Sequence, residues 1–278
     1  MREVLPYPKN VYLKFILKNF VYPLIVVKLI FVILSYLILF GTHRIGEVGG
    51  MALYVDNEYT FNQDSTLKIV EKGVDYLEQK GFKVSCGINI IFNATEKDHK
   101  LRSFFLDSKA LAKFSPFLKT IVVAPVISVE KQHTTEPINR SEIFLSRNLS
   151  EVLAHELFHA YAFEKYGFSD FLLKRIKGEN WKMEGMAEYV ANSSSLKVDI
   201  GMQMFENAVY EDLNMDIQKD FFTDYFVGRL RSDYLLTYKN VPFEEFWNTN
   251  YDEVTLDSEI RTAFSGKKYG LMNQNNYE

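Results

Sequence analysis

The chain has 278 residues, 47% of them hydrophobic, and a formal net charge of −4 from 32 basic and 36 acidic residues. These values exclude a disordered or fibrous chain, and the scatter of Lys and Arg, with no basic block, speaks against nucleic acid as a partner. The single cysteine, Cys86, permits no internal disulfide and reads as a small buried hydrophobe, while the 23 Phe and 17 Tyr read first as core.

Residues 21–40, VYPLIVVKLIFVILSYLILF, carry one charge, Lys28, and as a helix would cross a hydrocarbon core of about 30 Å. The long stem of Lys28 can carry its ammonium back toward the interface. Arg2, Lys9, Lys14 and Lys18 precede this run, and Arg44 is the only Lys or Arg between it and Lys68. The positive-inside rule then predicts a cytoplasmic N-terminus and everything after Gly41 on the non-cytoplasmic side. No small-x-small cleavage site follows the apolar run, so an uncleaved anchor is expected rather than a signal peptide. The division is residues 1–44 as N-terminus and anchor, and residues 45–278 as the remaining domain.

Further along, residues 51–55 suit a strand. Residues 65–80 read as an amphipathic helix, with Leu67, Val70, Val74 and Leu77 at helical spacing and Gly81 as its stop. Residues 82–92 and 120–129, rich in Val and Ile, read as strands. Residues 93–119 between them are charged and give no clear pattern. From Asn148 almost to Ala263 the pattern is helical. This order predicts an α+β fold in which a transmembrane helix precedes a small mixed-sheet subdomain and a mostly helical one, with the chemistry where these two meet.

Asn148 and Glu151 fit an N-cap and capping box, and apolar residues then recur at helical spacing until Gly167 offers a stop. Within this helix stands H-E-L-F-H. Residues four apart share a helix face, so His155 and His159 can both turn a ring nitrogen toward one ion. Glu156, about 100° round the axis, lies beside such an ion, where a base for a metal-activated water belongs. Catalytic zinc takes three protein ligands and keeps one position open. Ala162 and Lys165 stand where a metzincin would have Gly and His, and a helix bracketed by Glu151, Glu164 and Lys165 is too charged for an intramembrane protease. Two later carboxylates compete for the third position, Glu179 and Glu184.

Residues 181–189, W-K-M-E-G-M-A-E-Y, resemble the W-x-x-E-G-x-A-E-Y stretch of gluzincin metallopeptidases such as the zinc aminopeptidases. The resemblance covers roughly residues 148–238. It implies a zincin fold holding Zn2+ through His155, His159 and Glu184, a peptide or protein substrate, and Glu156 as general base. Glu179, whose distance from His159 is similar to that in thermolysin-like proteases, is then the lesser candidate. By the same resemblance Glu188 accepts a hydrogen bond from a ligand histidine. Tyr225, which opens a Y-x-x-G stretch at the start of an amphipathic helix, would stabilise the oxyanion. Residues 120–129 would correspond to the edge strand that pairs with an extended substrate. No G-x-M-E-N signature accompanies these motifs, so aminopeptidase activity is not implied. The expected function is a membrane-anchored zinc metallopeptidase; the alternative is a catalytically silent membrane-tethered binding or assembly protein on the same fold. His43, His99 and His133 read as surface residues, and Asn93, Asn139, Asn148 and Asn192 open glycosylation sequons.

Overall fold

The computed structural model describes residues 22–83, 87–103, 110–128, 133–134, 148–193, 198–207 and 221–264. Cys86, Asn139 and the four basic residues before the apolar run lie outside them. The fold is α+β. Helix α1 (Tyr22–Leu39) leads into an antiparallel pair, β1 (Thr42–Val48) and β2 (Met51–Asp56), followed by α2 (Gln63–Gln79), β3 (Asn89–Phe92) and α3 (Glu96–Arg102). Then come β4 (Ala112–Ser115), β5 (Thr120–Val123) and a small ribbon of β6 (Val126–Ser128) and β7 (His133–Thr134).

The five main strands are ordered β1-β2-β3-β5-β4. β2, β3 and β5 run parallel, and β1 and β4 are antiparallel edges. Strand alternation divides the side chains between the two faces. Leu53, Ile90, Phe92, Ile121 and Phe114 point into the main core against α2 and the helices that follow, whereas Ile91 and Val122 meet Ile38 in a smaller cluster on the other face. Two strand expectations are thereby corrected. Residues 120–129 do not form the sheet's edge: β5 is internal, paired on both sides, and the run breaks at Ala124 and Pro125 before β6. The edge is β4, from the stretch that gave no pattern. Of the described residues in 82–92, only Asn89–Phe92 is strand, and Gly87 at φ +103° precedes it.

The helical half consists of α4 (Leu149–Ile176), α5 (Asn180–Ala191) and α6 (Val198–Glu206). A continuous run follows, made of a π turn (Phe222–Val227), α7 (Gly228–Asp233) and a second π turn (Tyr234–Tyr238). The last helices are α8 (Phe243–Asn248) and α9 (Glu253–Phe264). Gly167 stops the first helix of α4 as expected: at φ +79° and ψ 173° its backbone is not helical, and a second helical stretch runs on beyond it to Ile176. One hydrophobic core joins the sheet's inner face to these helices, from Leu53 and Ile121 to Trp181, Phe226 and Trp247.

Among the described residues no helix is long and apolar enough to cross a membrane. α1 carries Lys28 as its only charge, and its 18 described residues rise about 27 Å, against a hydrocarbon core of about 30 Å. Val21, the first residue of the expected span, lies outside the described residues.

Candidate metal centre

The site is built from α4, α5 and the π turn, with the edge strand closing one side. α4 begins with the expected box, the Asn148 N–H donating to Glu151 Oε2 at 3.3 Å. Four residues after the box Glu, His155 is buried, and His159 follows one turn on. α5 lies across α4 and turns Glu184 toward both rings. His155 Nε2 is 3.1 Å from His159 Nε2, and Glu184 Oε2 is 3.2 Å from the first and 3.3 Å from the second.

These distances form a chemical statement. Donor atoms about 2.0–2.1 Å from one ion at tetrahedral angles stand about 3.3 Å from each other, which is the triangle seen here. His155 Nδ1 lies 3.1 Å from Glu188 Oε1, and a proton shared there leaves the lone pair of Nε2 aimed into the triangle. The Glu184 carboxylate is an acceptor only. Lone pairs meeting at this separation repel unless a cation or a proton lies among them. His155, His159 and Glu184 thus suit zinc in number, donor type and spacing.

The electrostatics agree. Burial alone would raise the Glu184 carboxyl, but the influence of the adjacent His159 and His155 rings outweighs it and holds the group well below the usual carboxylate range. At Glu156 the balance is reversed. Burial dominates and raises it, with Glu184 adding to the rise, despite the two histidines and the Phe114 N–H. That N–H, on the edge strand β4, donates to Glu156 Oε2 at 2.7 Å. Glu156 stands beside the triangle and is not one of its corners.

Tyr225 stacks on His155, ring centroids 5.7 Å apart and planes 4° from parallel, with Phe221 on its other face at 4.4 Å. Burial, the charges of Glu184, Glu156 and Glu188, and a hydrogen bond to Glu184 push its hydroxyl well above its ordinary range, so it stays a donor. The expected amphipathic helix opens here as a π turn. The Asn180 side-chain amide donates to Asp224 at 2.5 Å, tying that turn to the start of α5.

No family model, curated protein or solved structure matches this chain.

Glu179 is placed elsewhere. It precedes α5, 3.2 Å from Lys174 Nζ and 3.5 Å from Lys182 Nζ. His43 is exposed and 3.3 Å from Asn57 Oδ1, while His133 lies in β7. His99 is a correction: it is buried, with Nε2 3.2 Å from the Ala110 carbonyl and Nδ1 3.4 Å from the Asn93 amide. Asn93 is itself fully buried.

Sequence reasoning missed three parts of the site: Phe114, Phe221 and the glycine pair Gly185 and Gly228. A Cβ on Gly185 would lie 2.2 Å from the Gly228 carbonyl carbon, and one on Gly228 2.6 Å from the Trp181 oxygen. The two helices therefore touch backbone to backbone, and this contact sets Tyr225, one turn before Gly228, against Glu184. Two glycines, each one residue after or three after a site residue, were the available signal.

Proposed function

We propose that this chain is a membrane-anchored zinc metallopeptidase that hydrolyses peptide bonds, with Glu156 as general base. The observation that carries the reading is the triangle of His155 Nε2, His159 Nε2 and Glu184 Oε2, 3.1–3.3 Å on a side, with a raised carboxyl next to it that is not a corner. A structural zinc site would close all four positions and has no use for such a neighbour. Zinc bound there would supply a Lewis acid and a water of lowered pKa. Glu156 takes up a proton at its carboxylate from the attacking water and later returns it to the leaving amine. Glu188 fixes the tautomer and angle of His155. The Tyr225 hydroxyl is the donor for the oxyanion that develops on the scissile carbonyl.

Anchoring is supported by α1. Among its described side chains Ile25, Val26, Leu29, Val32 and Leu37 are each more than half exposed, and only Ile38 near its end is buried. Water is a poor solvent for such a rod and lipid a good one. By the positive-inside rule the basic residues before it support a cytoplasmic N-terminus with the proposed zinc domain across the membrane.

The test is Glu156→Gln, which keeps size and hydrogen bonding and removes the base. Zinc content and thermal stability should match the parent while hydrolysis of a mixed peptide library falls by about 10²–10⁴. Unchanged hydrolysis in this variant would sink the peptidase reading and leave a silent binding protein as the better one.

A further inference from the structure

A helix leaves its last four carbonyls without intrahelical partners, and at the end of a membrane anchor these usually face water or a loose linker. At the end of α1 they are all taken. The Leu37 carbonyl accepts from the Phe40 N–H at 3.2 Å, Ile38 from Arg102 Nε at 3.0 Å, Leu39 from the Thr42 hydroxyl at 2.7 Å, and Phe40 from Arg102 Nη2 at 3.0 Å. The Gly41 carbonyl accepts from the Asn57 N–H at 3.1 Å.

Arg102 is buried and held in turn. Its Nη2 pairs with Asp56 Oδ1 at 2.5 Å, and its Nη1 donates to Asn93 Oδ1 at 2.5 Å. Asp56 ends β2 and accepts the Ala94 N–H at 2.7 Å, while the Asn93 amide donates to the Val123 carbonyl at the end of β5. One guanidinium thus ties the end of α1 to the ends of three parallel strands. From β5 the line continues through β4, paired Phe114 to Ile121, to the N–H that holds Glu156. Ile38, packed on Ile91 and Val122, adds an apolar contact at the same joint. Beside the clamp the exposed apolar residues are Phe40 and Leu101, at the height where an anchor leaves the bilayer.

From this we infer that the Arg102 clamp makes anchor and catalytic domain one rigid body, so the enzyme works at a fixed distance from the bilayer on polypeptides that are themselves membrane-attached. A tethered domain would sample many heights and take soluble chains equally well; a clamped one presents its cleft at one height. The inference rests on the membrane-anchored peptidase reading, and the experiment separates the two. Full-length protein with Cys86→Ser carries spin labels at Tyr36 on α1 and Glu71 on α2, and their distance is measured by pulsed electron resonance in nanodiscs. A single narrow distribution is expected. Arg102→Ala, or a short Gly–Ser segment inserted after Gly41 should the substitution prevent folding, should at least double its width. A broad parent distribution, or widths unchanged in both variants, overturns the clamp.

Activity is then read in liposomes on mixed-sequence peptides coupled to lipid through spacers of increasing length. The parent should cut within a narrow band of spacer lengths, and the inserted chain over a wider one. Equal cutting at every length by the parent overturns the substrate class. No cutting of any peptide, free or anchored, together with a narrow distance distribution, removes the peptidase reading and with it the substrate class, but keeps the clamp.

Discussion

At the scale of single residues, Glu179 and Glu184 are the same side chain in two environments. Glu184 faces two imidazole nitrogens; Glu179 faces two ammonium groups. Purified protein should hold about one zinc per chain, as three-ligand catalytic sites do, and Glu184→Ala should lose it by elemental analysis while Glu179→Ala retains it. The reverse result would move the third ligand to Glu179. Glu179→Gln should instead cost about 1–3 kcal/mol in urea unfolding, because Lys182, 1% exposed, loses a charged partner. The pH dependence has a definite sign. Burial alone would raise the Glu179 carboxyl, but hydrogen bonding and charge from Lys174 and Lys182 lower it. Its contribution is therefore full above the unfolded value of about 4.3 and is lost as pH falls through the lower folded one. Between about pH 6 and pH 3 the parent should lose more stability than the Gln variant; equal losses would remove Glu179 from the ion-pair account.

At the scale of elements, the site depends on how closely α5 approaches the Phe222–Asp233 run. A methyl on Gly185 has no room, since the nearest atoms are backbone and a side-chain rotation cannot relieve them. Gly185→Ala should push the helices apart, cost about 3 kcal/mol or more as severe overpacking does, and lower zinc occupancy by turning Glu184 away. Gly178→Ala is the comparison: its Cβ would meet nothing within 4 Å, so its cost is confined to the strained φ of +77° and zinc should stay. Equal zinc in both variants would break the link between this helix contact and the metal centre. The π turn at Phe222–Val227 adds one residue to the helical circuit just where Tyr225 must face His155, a use of π turns found at other functional sites.

At the scale of the whole molecule, one hydrophobic core spans sheet and helices, so α4, which carries His155 and His159, has support on both sides, from Gly73 of α2 against Leu153 to Phe226 beyond α5. Among the described residues, α1 meets this body at its C-terminal end, through Ile38 and the Arg102 clamp. The topology proposed for it is tested by a reporter fused after Glu278, expected to be active only on the non-cytoplasmic side. Activity in the cytoplasm would refute that orientation. The protein should also stay with the membrane through an alkaline carbonate wash; release into the supernatant would remove the span.

Local spacing was enough to read the H-E-L-F-H face, the capping box before it and the amphipathic α2, because a helix repeats every 3.6 residues whatever surrounds it, whereas Glu184 and Glu188 were singled out only by the resemblance of residues 181–189 to gluzincins. The α+β class followed from the order of such patterns. Contacts between residues far apart in the chain were not legible. Whether β4 or β5 forms the edge depends on pairing order, and alternation in a four-residue strand is too short to reveal it. His99 looked like a surface histidine among charged neighbours and is buried because α3 folds onto the sheet's end. Arg102 lay in the charged stretch, residues 93–119, that gave no clear pattern. Its partners, Ile38 at 64 positions away and Asp56 on another strand, are chosen by tertiary structure, since burying a guanidinium requires that the fold bring a carboxylate and several carbonyls to meet it.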